Sequence, residues 1–247
     1  MKLSDAMRIP RGVISVVGSG GKTTLIGRLF DELEGLVIRT TTTHILPPDG
    51  TLLISPNAAQ VERALDLEGR VSIGCFEDAQ SAALFAGKYA GKLTKSDIPV
   101  GVLSRLADYV LIEADGSRNL PAKAPSEREP VVVPETAMTI AVAGMTALGR
   151  PIRESAHRPE IYARLARADM DRIITPEIMA RVLTDPMGSR KNALGEFITV
   201  LNQADDDSLL NGARQIASML SGRVYITCVG RDPGRVEYWR DGKCSSL

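Results

Sequence analysis

Nine residues, Val16 to Thr24 (VVGSGGKTT), constrain what this chain can fold into more than any other stretch. They close an apolar, β-branched run, Gly12 to Val17 (GVISVV), and open the segment TLIGRLFDELEG, in which Leu25, Ile26, Leu29, Phe30 and Leu33 recur at helical spacing. The reading is buried strand, glycine-rich turn, amphipathic helix. Consecutive backbone amides from Gly18 to Lys22 can wrap a phosphate, the glycines let the backbone approach it closely, and a helix N-terminus adds a favourable dipole. Lys22 would reach the β- and γ-phosphates of a nucleoside triphosphate, and Thr23 would put its hydroxyl on magnesium. Gly18, Ser19, Gly20, Gly21, Lys22, Thr23 and Thr24 are therefore the candidate nucleotide-binding residues, with GTP or ATP as nucleotide and Mg2+ as cofactor.

The longer GxxxxGK[ST] pattern wants glycine at position 16, where this chain has Val16. The loop is the shorter GSxGKTT form and resembles that of Mur ligases. Further apolar runs fall at Leu36 to Thr40, Tyr109 to Glu113, Met138 to Ala143, Glu196 to Leu201 and Arg223 to Val229, with helical stretches at Pro159 to Ala168 and Ser208 to Leu220. Strands alternating with helices predict an α/β, P-loop NTPase-like fold, a mostly parallel sheet flanked by helices. Asp241-Gly242 between extended segments predicts a C-terminal hairpin. Residues 1–247 read as a single domain, with about 45–105 as an insertion or small lobe. That stretch contains a helix-like NAAQVERALDLEG, a strand-like RVSIGC and a second helix-like DAQSAALFAGKYAG.

Other candidate residues stand at strand ends. YVLIEADGSR places Glu113 at the end of an apolar strand with Asp115 just beyond, where a carboxylate completes a magnesium shell or orients a water. Glu113 is the first choice as metal ligand beside Thr23, and Asp115 is the alternative or its partner; Lys22, Glu113 and Asp115 form the catalytic set. TTTTH sets Thr42, Thr43 and His44 past the second strand, as candidates for contact with the γ-phosphate, its metal or a second substrate. In VLNQADDD, Asn202 and Asp205 resemble the NKxD element by which GTPases read guanine, with Gln203 at the lysine position. The same residues suit a helix cap, with Asp207 or Ser208 as cap. AKAPSEREPVVVP, from Ala122 to Pro134, is a proline-punctuated loop whose Lys123 and Glu129 belong to neither helix nor central strand.

Thirty basic residues balance thirty acidic ones, so net charge draws the chain to neither nucleic acid nor anionic membrane, and neither is expected as a partner. The start, MKLSDAMRIPRG, lacks a signal-peptide apolar run, and no stretch approaches the roughly 18 apolar residues of a membrane span, so a cytoplasmic protein is expected. Cys75, Cys228 and Cys244 are scattered, which argues against a disulfide framework or zinc knuckle, and two histidines do not make a histidine-rich metal site.

Taken in order, GSGGKTT, TTTTH, LIEADGSR, AKAPSEREPVVVP, AHRPE and LNQAD resemble the YqeC family of selenium-dependent hydroxylase accessory proteins, from about Val13 to about Asp205. The resemblance implies a P-loop NTPase that assists maturation of selenium-dependent molybdenum hydroxylases, with a client hydroxylase or another maturation protein as partner. It also implies that Lys22, Thr23, Glu113 and Asp115 belong to the nucleotide site, and Lys123, Glu129 and Pro130 to a second signature. The alternative is a Mur-ligase-like ATP-dependent ligase or kinase acting on a small molecule, with the 45–105 segment binding the acceptor.

Overall fold

A computed structural model describes residues 2–76, 91–230 and 236–245. The chain is α/β, with a large, mostly parallel sheet flanked by helices. Its strands are β1 (Gly12–Gly18), β2 (Val37–Thr41), β3 (Leu52–Ile54), β4 (Arg70–Phe76), β5 (Leu93–Thr94), β6 (Tyr109–Glu113), β7 (Ala122–Lys123), β8 (Thr136–Gly144), β9 (Ala156–His157), β10 (Glu196–Asn202), β11 (Arg223–Thr227), β12 (Val236–Arg240) and β13 (Lys243–Ser245). The main sheet runs β13-β12-β11-β10-β8-β1-β6-β2-β4-β3, with β5 on β4. From β11 to β3 the neighbours are parallel, while β12 and β13 close the sheet as an antiparallel hairpin turning at Asp241 and Gly242.

Strand β1 is central because both of its faces are apolar. Ile14 and Val16 pack on one side with Leu25, Ile26, Leu29 and Phe30 of helix α2 (Lys22–Glu32), following α1 (Leu3–Ala6); Val13 and Val17 pack on the other with Val61 and Leu65 of α3 (Ala58–Glu68). This two-residue alternation, matched to a helical stripe, is what the apolar spacing demands. A third cluster joins β10 and β11 to α6 (Pro159–Ala166), α7 (Pro176–Thr184) and α8 (Asp207–Met219); α4 (Val100–Leu106) and α5 (Ile152–Ser155) complete the described α-helices, and Met145–Ala147 forms a 3-10 turn.

The segment read as an insertion adds β3 and β4 to the sheet beside β2, joined by α3. Asn57 starts α3 with a reciprocal cap, its side chain accepting from Gln60 N while Gln60 answers to Asn57 N. DAQSAALFAGKYAG lies almost wholly outside the described residues. Helix α8 is capped one residue earlier than expected: Asp206, not Asp207 or Ser208, accepts from Leu209 N. Among the described residues no helix is long and apolar enough to cross a membrane.

Candidate functional site

The parallel register brings the carboxyl ends of three strands into line. Glu113 of β6 stands opposite Val16 of β1 on one side and Thr41 of β2 on the other. The chain from β1 then turns through Gly18, Gly20 and Gly21, all with positive φ, into α2. Gly20 is required twice over: its φ is +83°, and a Cβ would lie 2.3 Å from Gly144 Cα, against backbone that cannot yield. The left-handed Gly21 offers no side-chain cap to α2, so the first amides of that helix stay free for an anion.

Lys22 is 2% exposed and its Nζ donates to Gly18 O at 2.7 Å. It lies 3.1 Å from Asp115 Oδ1 and 3.6 Å from Glu113 Oε1. Burial weighs against its charge, yet the Asp115 and Glu113 carboxylates outweigh it and hold the ammonium above its usual pKa. Burial pushes the Glu113 carboxyl up, with Lys22 and the Thr23 hydroxyl pulling it back. Thr23 Oγ1 donates to Glu113 Oε2 at 3.1 Å, and Gly18 N donates to Asp115 Oδ2 at 2.9 Å. Asp115 thus clasps both ends of the loop.

The site fits a magnesium ion. Its oxygens are hydroxyl and carboxylate, the hard donors such an ion takes. Thr23 and Glu113 would hold it.

Asp115 also carries the site outward. Lys123 Nζ, on a side chain 1% exposed, lies 3.0 Å from Asp115 Oδ2 and 2.8 Å from Glu129 Oε2, and Arg158 Nη1 donates to Glu129 Oε2 at 2.6 Å. The result is one line of alternating charge, Lys22, Asp115, Lys123, Glu129, Arg158. Although burial opposes it, the Arg158 and Lys123 bonds hold Glu129 below the usual carboxylate range. The line exists because β7 and β9 pair in parallel, setting Lys123 opposite His157. His157 Nδ1 is 3.1 Å from Gly116 O, and its pKa is lowered by burial and by Arg158 and Lys123 nearby.

His157 and Arg158 were not among the candidate site residues. Their signal is AHRPE itself, a histidine and an arginine directly before a proline that starts a helix, with Arg158 at φ +63°. Arg39 was missed as well, although a cation inside an otherwise buried strand is legible in LVIRT.

The remaining candidates divide. Asn202 reaches the loop, but as a brace: its Nδ2 donates to Gly20 O at 2.9 Å, and its Oδ1 accepts from Thr227 Oγ1 and Val229 N. Asp205 is set apart from the charged line, its Oδ1 accepting from Cys228 Sγ. Gln203 Oε1 accepts from Thr146 Oγ1. Ser19 Oγ donates to Pro121 O, Thr42 Oγ1 to Val131 O, Thr43 N to Thr41 Oγ1 and Thr41 Oγ1 to Glu113 O, so TTTTH ties β2 to β6 and to the 122–134 segment. Thr24 and His44 are exposed.

A family model described as YqeC protein matches residues 14–160. The match covers the loop, both carboxylates, Lys123, Glu129 and Arg158, and stops before Asn202 and Asp205. The "Uncharacterized protein YqeC" of Escherichia coli (strain K12) is 34% identical over 186 residues, covering 73% of this chain and 70% of that protein. No solved structure matches.

Proposed function

The chain belongs to the YqeC family, and from that premise we propose that it binds a magnesium nucleoside triphosphate at Gly18–Thr24 and hydrolyses it. The observation that carries this reading is the convergence on Lys22: a buried ammonium at the start of α2, held by Glu113 and Asp115 from the adjacent strand, with the Thr23 hydroxyl on the same Glu113. On triphosphate binding Lys22 leaves its carboxylates for the β- and γ-phosphate oxygens, and the amides of the loop and helix take the rest of the charge. Bound magnesium supplies neutralisation of the phosphate oxygens. Glu113, beside the Thr23 hydroxyl, orients the attacking water, and Asp115 holds Gly18 and Lys22 in place.

ATP and GTP both suit this reading. Asn202 spends its amide on the protein, so guanine recognition would fall to Asp205. We place the activity in maturation of selenium-dependent molybdenum hydroxylases, where hydrolysis drives a conformational step on a client enzyme; this rests on the motifs the chain shares with its family. The second reading, a ligase or kinase acting on a small molecule, is favoured by a cleft that opens beside Thr23 and Thr24. Phosphate release measured with purified protein, with and without magnesium, tests the shared premise. Magnesium-dependent release that disappears in Lys22→Ala supports it; equal release from both proteins overturns it. Stimulation by a hydroxylase favours the first reading, and stimulation by a small molecule favours the second.

A further inference from the structure

Strand β2 is buried along its length, yet it carries Arg39, 9% exposed. Arg39 Nε donates to Ser72 Oγ at 3.0 Å, Nη2 donates to Asp49 O at 2.7 Å, and the guanidinium lies 4.6 Å over the Phe30 ring. Among the described residues no carboxylate lies within ion-pair distance of Arg39. Arg70 is half-buried and, among the same residues, also has no carboxylate within ion-pair distance; its donors cap the carbonyls of Phe30 and Asp31 at the end of α2. A guanidinium keeps its charge when buried, and Arg39 feels Asp31 and Asp49 only from a distance, so no carboxylate takes its fork directly. Both arginines line a cleft of about 710 Å3 between α2, β2 and the 47–51 turn, and Thr23 lines its wall.

Gly27, on the same wall, supplies an independent observation. It sits in the middle of α2, where glycine is a poor helix former, and its φ is not left-handed. The nearest heavy atom to a Cβ there would be Arg39 Nη1, at 3.9 Å, an ordinary contact. Neither backbone nor packing requires glycine, so what it contributes is open space against Arg39. Asp31 and Asp49 also line the cleft, so a ligand must offer hydrogen-bond donors besides an oxyanion.

We infer that this cleft binds a small hydroxy or amino acid, its carboxylate on Arg39 and Arg70 and its hydroxyl or amino group on Asp31 or Asp49. Beside Thr23 such a molecule is the second ligand of the nucleotide site. That assignment rests on the nucleotide reading; binding in the cleft does not.

Amide spectra of the 15N-labelled full chain, titrated with L-malate and with L-serine to millimolar levels, test it. The same titration is repeated with magnesium and a non-hydrolysable ATP analogue. One of the two acids is expected to shift the amides of Gly27, Arg39, Gly50 and Thr51, and Gly27→Leu and Arg39→Lys should each weaken that response at least ~10-fold. No shift at these residues with either acid, or an unchanged response in both variants, overturns the inference. The analogue reports separately through Ser19 to Thr24: a cleft response without a loop response supports the cleft and removes the nucleotide reading.

Discussion

Asp115→Asn is the most demanding perturbation of this architecture, because it keeps the shape and removes one charge. Asp115 is 2% exposed and accepts from Gly18 N at 2.9 Å, with Lys22 Nζ at 3.1 Å and Lys123 Nζ at 3.0 Å. Both ammoniums are nearly inaccessible to water, their side chains 2% and 1% exposed. Orphaning a buried charge costs about 3–5 kcal/mol. Here each lysine keeps one carboxylate, Glu113 at 3.6 Å for Lys22 and Glu129 at 2.8 Å for Lys123, which lowers the expected cost. The prediction is a loss of about 2–4 kcal/mol for Asp115→Asn, from two weakened charged contacts and one weakened loop hydrogen bond. For a chain of this size that is a fall of roughly 5–15 °C in Tm, read by circular dichroism. Adding Lys123→Met should restore part of the loss, since it removes a charge that Asp115 no longer balances. A single-variant loss below ~1 kcal/mol, or a double variant whose losses simply add, would refute the idea that Asp115 is the electrostatic hub of the loop.

Four further outcomes are expected. Gly27→Ala should stabilise the chain by about 0.5–1 kcal/mol in urea unfolding, because the helix gains a better former and no clash arises; destabilisation would mean the cleft wall is tighter than 3.9 Å. Asn202→Ala should cost about 2–3 kcal/mol by leaving Gly20 O, Thr227 and Val229 N without their partner, and it should weaken ATP and GTP binding alike. If that variant lost GTP while keeping ATP, Asn202 would read the base. Glu129 has a folded pKa held below its unfolded value of ~4.3, so its contribution to stability is present above that pH and fades as pH falls towards the folded value. Glu129→Gln should therefore flatten this part of the acid limb of a stability-pH curve, and an unchanged limb would count against the Lys123–Glu129–Arg158 contacts. His157 runs on a lowered pKa, so stability should decline as pH drops below its unfolded ~6.5, and His157→Gln should remove that decline.

Local pattern and long-range pairing were not equally legible in the sequence. Strand β1, the glycine turn and α2 could be read because apolar spacing changes from sheet to helix within a few residues, and β6 because its apolar run ends in a charge. The carboxylate beside the lysine followed from that, although which strand carried it next to β1 depended on the parallel register Val16 to Glu113. The partners of Lys123 were not legible: β7 and β9 are two residues long, too short for any periodicity, and they pair across a long stretch of intervening chain. Asn202 shows the converse. Its place in an NKxD-like string suggested base recognition, yet the side chain turns inward to Gly20, because a buried amide must satisfy its hydrogen bonds wherever the backbone places it. Helix α7 went unread, although Thr175, whose side chain accepts from Ile178 N, and Pro176 make an ordinary start signal; the run behind them is only nine residues.

The central claim is that Gly18–Thr24 binds a nucleoside triphosphate with magnesium. Calorimetric titration of the full chain with ATP and with GTP, each with and without magnesium, beside Lys22→Ala, tests it most directly. The account predicts magnesium-dependent binding of at least one nucleotide and a loss of roughly 100-fold or more in the variant, the worth of Lys22's charged contacts to phosphate. Absence of binding by either nucleotide, or equal affinity in Lys22→Ala, would contradict it.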